Sequence, residues 1–242
     1  MNLGIAGKHV LVIGASRGMG RAVAEALAAE GCSVYGVARE SIELRTLERC
    51  GARSRACNVM DRGELSLLIE TLRTSSPPDI IVHVAGGSVG IRDSLSSTDD
   101  MLKVWMANLG YAHEINRAFL PSMKAKGWGR IVHFSSNGVK LATGNVPYIS
   151  AKGAVESYVR NMSRIYAPDG IVISAVSPGP IHTPGIFMYD QDEAWTKAFF
   201  AKYMPIGRWG QASEVAGAVA LLCSEHASYM AGAIVPIDGG MR

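Results

Sequence analysis

The chain has 242 residues, 48% hydrophobic and 19% charged, enough apolar material to bury a sizeable core in one α/β domain. A formal net charge of +3 with no lysine or arginine block argues against nucleic acid as the principal partner and leaves a small molecule as the expected one. No basic leader with a long apolar run opens the sequence, and no apolar stretch reaches the roughly 18 residues of a membrane span, so secretion and membrane insertion are unsupported. Cys32, Cys50, Cys57 and Cys223 show no C-x-x-C spacing and sit in or beside apolar elements, which predicts reduced thiols in the cytoplasm rather than disulfides or zinc ligands. No metal site is expected.

Taken in order, His9-Val-Leu-Val-Ile13 reads as a first strand, and Gly14-Ala-Ser-Arg-Gly18-Met-Gly20 leads from it into the helical periodicity of Arg21–Glu30. Strand, glycine turn and helix are the context in which a pyrophosphate approaches the backbone and meets the positive end of a helix dipole. Cys32-Ser-Val-Tyr-Gly-Val37 gives a second strand, at whose end a dinucleotide-binding protein reads the ribose. The residues there are Ala38 and Arg39; with Arg17 in the turn, two guanidiniums suit a 2′-phosphate and predict NADP(H), Glu40 being the alternative ribose reader for NAD(H). Further strands are expected near 53–57, 79–84, 130–135, 170–176 and 233–236, alternating with helical segments. The pattern predicts a doubly wound Rossmann fold, a parallel sheet of about seven strands with helices on both faces and right-handed crossovers. A ligand would lie at the carboxyl ends of the strands, near Gly14, Gly86 and Ser135.

Tyr148 and Lys152 stand four apart in Pro147-Tyr-Ile-Ser-Ala-Lys152, with Ser135 thirteen residues before the tyrosine. On a helix that spacing shares a face, so the ammonium is expected beneath the phenol ring, favouring its anion. A free phenol titrates near pH ~10, and proton transfer near neutrality requires about 3–4 kcal/mol of differential electrostatics. The same pattern also occurs as a solvated tyrosine beside a lysine stem. The order along the chain separates the two readings: glycine turn, mid-chain asparagine, strand-closing serine, then the Tyr/Lys pair.

Together these motifs resemble the short-chain dehydrogenase/reductase family, from Lys8 to Gly240. The resemblance implies a catalytic tetrad of Asn108 (in Trp105-Met-Ala-Asn-Leu-Gly110), Ser135, Tyr148 and Lys152, with Ser135 preferred over Ser136 because Ser136 is one residue off the usual spacing. It implies cofactor contacts from Gly14, Ser16, Arg17, Gly18, Met19, Gly20, Arg39, Asn58, Val59, Ala85, Gly86, Tyr148 and Lys152. It adds Pro178, Gly179, Ile181 and Thr183 in the nicotinamide-side loop Ser177-Pro-Gly-Pro-Ile-His-Thr183. The sequence departs from the family pattern at Ile13, Asn58, His83 and Val84. A histidine inside an apolar strand is more often a hydrogen-bonded structural residue, so His83 stays outside the catalytic set.

The whole of 1–242 is expected as one domain with a substrate lid at 183–205, where Phe187, Met188, Trp195, Phe199 and Phe200 either enclose an apolar substrate or form core or subunit contacts. The branch most resembled is the 3-oxoacyl thioester reductases, with Lys126 and Arg164 as basic contacts to an acyl carrier protein. The alternatives are a sugar, polyol or other secondary-alcohol dehydrogenase, served by Ser88, Arg92, Asn145 and His182, and a cofactor-binding regulatory protein without turnover. By the same resemblance, helices around 99–126 and 148–167 pair across subunits into a homotetramer or dimer.

Overall fold

The computed structural model describes residues 2–183 and 191–241. Seven parallel strands form one sheet in the order β3-β2-β1-β4-β5-β6-β7: β1 (His9–Ile13), β2 (Ser33–Ala38), β3 (Arg53–Ala56), β4 (Ile80–His83), β5 (Gly129–Phe134), β6 (Ile171–Pro178) and β7 (Ile234–Ile237). The expected strands are all present, with ends displaced by no more than a residue or two.

Alternation along β1 shows why both faces are covered. Val10 and Val12 enter one apolar layer, with Val23 and Leu27 of α1 (Gly18–Ala29) and Val215 and Val219 of α9 (Ala212–Leu222). Leu11 and Ile13 enter the opposite layer, with Leu68 of α3 (Arg62–Ser75), Ile115 and Phe119 of α5 (Tyr111–Lys126), and Val155 and Val159 of α7 (Val146–Tyr166). A strand buried on both faces must read as a continuous apolar run, as β1 does.

Chain order reverses direction in the sheet between β1 and β4, which pair directly from Val10↔Ile80 to Ile13↔His83. The loops leaving the carboxyl ends of these two strands therefore diverge and open a crevice. The segment expected as one helix over 99–126 is α4 (Thr98–Trp105), a π-helical turn (Met106–Gly110) and then α5. The remaining α-helices among the described residues are α2 (Ile42–Arg45), α6 (Gly138–Leu141) and α8 (Glu193–Tyr203).

Candidate active site

The glycine turn is built for close backbone approach. Gly14 has φ +96°, and a Cβ there would lie 2.7 Å from the Ala85 nitrogen; one on Gly20 would strike the Gly14 carbonyl. These contacts press the start of α1 against the end of β1. At that start Arg17 occupies the cap position in an extended conformation, with no side-chain cap and no acidic residue in the first turn. The N–H groups of the first turn, Met19 included, and the positive dipole end thus face the crevice, a good match to a pyrophosphate. Ser16 is half-buried in the turn, and Thr183 leans over it, its Cγ2 3.0 Å from where a Gly18 Cβ would stand.

Arg17 and Arg39 are exposed on the same rim, and neither forms a salt bridge within the described residues. Glu40 is turned to Arg45 at 2.8 Å, so the alternative ribose reader already has a partner. Asn58 is exposed and accepts from the Met60 N–H at 3.2 Å, and Val59 packs on the layer beneath. Across the crevice, Ala85 is fixed by its N–H to Ile13 O at 2.9 Å and by the Tyr111 hydroxyl, which donates to its carbonyl at 3.0 Å. Pro178 ends β6, Gly179 lies against Asp238, and Ile181 is buried in a bridge to Gly210. An uncapped helix start, a turn open only to glycine and two exposed guanidiniums fit a phosphorylated dinucleotide.

The reacting groups cluster where β5 meets α7. Lys152 is buried and donates from Nζ to the Phe134 carbonyl at 2.6 Å; burial pulls its pKa down to about 8. The Nζ is 5.6 Å from the centre of the Tyr148 ring. Burial raises the Tyr148 pKa, and a hydrogen bond with the Ser136 hydroxyl opposes that rise. The ammonium stands over the ring as the four-residue spacing predicts, but the phenol is not brought down: Nζ is bonded to a backbone carbonyl, burial dominates, and the Ser136 side chain is what favours the anion.

A second correction concerns the serine. Ser135 is buried and its hydroxyl donates to Glu156 Oε1 at 2.8 Å, away from Tyr148. Ser135 continues the row of Ile131 and His133 that faces the α7 layer, whereas Ser136, the second residue past the strand, turns toward the phenol. Counting thirteen residues back from the tyrosine selects Ser135, whose hydroxyl is taken by Glu156, whereas Ser136 is the serine that acts on the phenol.

Asn108, in the π-helical turn, accepts from Gly87 N–H at 2.9 Å and donates to Gly87 O at 2.8 Å and Val104 O at 2.7 Å. It thereby holds the loop after β4 beside Lys152. A Cβ on Gly86 would meet Asn108 Oδ1 at 2.5 Å and Lys152 Nζ at 3.3 Å. One crevice thus brings together Ser136, Tyr148, Lys152 and Asn108, flanked by the glycine turn.

With that geometry in hand, comparison with known proteins is decisive at the family level. The family model described as enoyl-(acyl carrier protein) reductase matches residues 14–242. The 3-oxoacyl-(acyl-carrier-protein) reductase FabG of Salmonella typhimurium is 33% identical over 243 residues, 97% of each chain. This chain belongs to the short-chain dehydrogenase/reductase family. Among solved structures, the L-sorbose reductase of Gluconobacter frateurii, complexed with NADPH and L-sorbose, matches at a TM-score of 0.90 and 27% identity, covering 100% of this chain and 98% of that one. A 3-oxoacyl (acyl-carrier-protein) reductase from Agrobacterium tumefaciens C58 with NADP bound matches at 0.89 and 27%, covering 98% and 95%.

Other residues singled out in this family member fall elsewhere. Lys126 pairs with Asp79 at 2.6 Å, just before the start of β4, and Arg164 lies in the last turn of α7, so both sit at the end of the sheet opposite the crevice. Asn145 caps α7 by accepting from Tyr148 N–H at 3.0 Å, which leaves it a structural task. Phe187 and Met188 lie outside the described residues. Trp195 and Phe199 stack on α8 with ring centroids 5.2 Å apart, and Phe200 meets Trp209 at 4.7 Å; no α8 residue is buried, so these rings do not build the core. Glu156 was invisible to motif reading, because a carboxylate eight residues past the tyrosine has no meaning until the helix is docked on the strand.

Proposed function

We propose that this protein is an NADP(H)-dependent ketoreductase of 3-oxoacyl thioesters. The observation that carries the chemistry is the Tyr148 ring beside buried Lys152, with Nζ 5.6 Å from the ring centre and the Ser136 side chain favouring the phenolate, set at the carboxyl ends of the strands next to an uncapped helix start. Ser136 and Tyr148 orient a substrate carbonyl through their hydroxyls, and the Tyr148 phenol gives its proton to the oxygen as the carbon is reduced. Lys152 holds charge beside the phenol, and Asn108 keeps the Gly86–Gly87 backbone at the lysine.

When bound, the cofactor supplies the hydride. Gly14, Ser16, Gly18, Met19 and Gly20 would hold its pyrophosphate, Arg17 and Arg39 its 2′-phosphate, Asn58 and Val59 its adenine side. Ala85, Gly86, Tyr148, Lys152, Pro178, Gly179, Ile181 and Thr183 would flank the nicotinamide half. The thioester reading draws on the full-length likeness to the Salmonella reductase and on the aromatic surface of α8, which suits an acyl chain. We assign 183–205 as the lid, the cytoplasm as the setting of the four unpaired cysteines, and a homotetramer as the assembly, with Leu102 and Trp105 of α4 and Ile165 of α7 as exposed apolar contacts.

A second reading, a ketosugar or polyol oxidoreductase, is favoured by the equally complete likeness to the L-sorbose reductase. NADPH and NADH oxidation against a panel of 3-oxoacyl thioesters and ketosugars separates the two. Turnover of the thioesters is expected. Turnover of ketosugars alone establishes the second reading, and tight NADPH binding without any turnover indicates a regulatory protein. Tyr148→Phe should retain NADPH binding and lose nearly all turnover.

A further inference from the structure

Three consecutive residues at the end of β5 each meet α7 by a different group. The Phe134 carbonyl accepts from Lys152 Nζ at 2.6 Å, the Ser135 hydroxyl donates to Glu156 Oε1 at 2.8 Å, and the Ser136 side chain favours the ionised form of Tyr148. Lys152 and Tyr148 face the crevice. Glu156 lies one helical turn beyond Lys152, on the shoulder of the site, with 12% of its side chain exposed. Its other carboxylate oxygen receives Arg160 at 3.2 Å. Burial lowers the lysine pKa.

We infer that Glu156 is a positioning residue for the reaction, anchoring Ser135 so that Ser136 and Tyr148 are held in register across the junction of β5 and α7. The inference rests on the proposed reductase reading for its kinetic consequences. Among the described residues, two side-chain hydrogen bonds tie the end of β5 to α7, Lys152 to the Phe134 carbonyl and Ser135 to Glu156. Lys152, like Ser136 and Tyr148, must also serve the reaction. The Ser135–Glu156 contact relieves these groups of the structural task. Shifts of about 1 Å at a reacting group cost up to ~100-fold in rate, so loss of the anchor should be read in turnover rather than binding.

The experiment is a mutant cycle on the Ser135–Glu156 contact. Ser135→Ala and Glu156→Leu should each lower kcat about ten- to a hundredfold with the KM for NADPH unchanged, and the double variant should be no worse than the poorer single one. Glu156→Gln, which keeps an acceptor, and Ser135→Thr, which keeps a donor, should restore most of kcat. Melting temperatures identify any variant that fails to fold; if Glu156→Leu does, Ser135→Ala and its threonine rescue carry the test. A near-total loss in Ser135→Ala with near-normal Glu156→Leu would make Ser135 the reacting hydroxyl and overturn the inference. So would additive losses, or a lowered melting temperature with unchanged kcat.

The second readout needs no substrate. The phenol titration of Tyr148, taken as the absorbance difference against Tyr148→Phe, should move to higher pH in Ser135→Ala and Glu156→Leu as the Ser136 bond loosens. An unmoved titration contradicts the inference. If the wild-type protein reduces no carbonyl, the functional reading falls while the titration still decides the role of Glu156.

Discussion

His83 and His133 lie side by side on β4 and β5, ring centroids 4.7 Å apart, and the amide of Asn116 holds both. Asn116 Oδ1 accepts from His83 Nε2 at 2.9 Å, and Asn116 Nδ2 donates to His133 Nε2 at 3.2 Å. Because the amide nitrogen only donates, His133 carries its proton on Nδ1, while His83 carries its own on Nε2. A second proton on either ring would place a cation in an apolar layer near Lys152. Burial accordingly lowers the pKa of His83 to about 4 and that of His133 well below the ordinary range.

A pH dependence of stability follows, with a definite sign. Both histidines bind protons more readily in the unfolded chain, so stability is intact above the unfolded pKa near ~6.5 and falls as pH drops from there toward about 4. Each contributes a slope of up to about 1.4 kcal/mol per pH unit in that window. Melting temperatures at pH values from neutrality down to 4.5 should show this decline, and His83→Asn should make it shallower. A flat profile in the wild type would contradict the assignment of both rings as neutral.

Ser136→Ala removes the hydroxyl that reaches the Tyr148 phenol. Loss of one transition-state donor costs about a hundredfold or more in kcat. Steady-state kinetics should show that loss with the KM for NADPH little changed. An active Ser136→Ala enzyme would return the role to Ser135.

Arg17 and Arg39 should set the choice of dinucleotide. Hydrogen bonds to a charged group are worth about 1.5–3 kcal/mol, so Arg39→Ala should weaken NADPH binding by ten- to a hundredfold and barely alter NADH. Adding Arg17→Ala should bring the two affinities close together. Titration of both dinucleotides by fluorescence measures this directly, and equal weakening of both would transfer the 2′-phosphate contact to other residues.

Much of the fold was legible in the sequence because a doubly buried parallel strand can be written only as a short apolar run, and the glycine turn marks the first crossover. The parts that were not legible depend on how elements dock. Which of two adjacent serines meets the tyrosine depends on which one the docked α7 engages otherwise: Glu156 takes the Ser135 hydroxyl, a contact that spacing does not display. Lys152 lies over the Tyr148 ring as its spacing predicts, yet the partner of its Nζ is the Phe134 carbonyl, a backbone group no sequence pattern displays. His83 was correctly read as a hydrogen-bonded strand residue, yet its partners Asn116 and His133 come from α5 and β5 and meet it only in three dimensions.

The π-helical turn at Met106–Gly110 has a bearing on how this sequence can change length. A π turn accommodates one residue more than a regular helical path would, and each residue of an α-helix subtends about 100° of rotation. Deleting any one of those five residues would give the helix a regular repeat and improve it locally, while rotating Asn108 out of its clamp on Gly87 or swinging Asn116 away from the two imidazoles. The chain is therefore intolerant of a shortening that secondary-structure propensity alone would favour, and the irregular turn is the phase adjustment that lets α4 and α5 each present the correct side to the sheet.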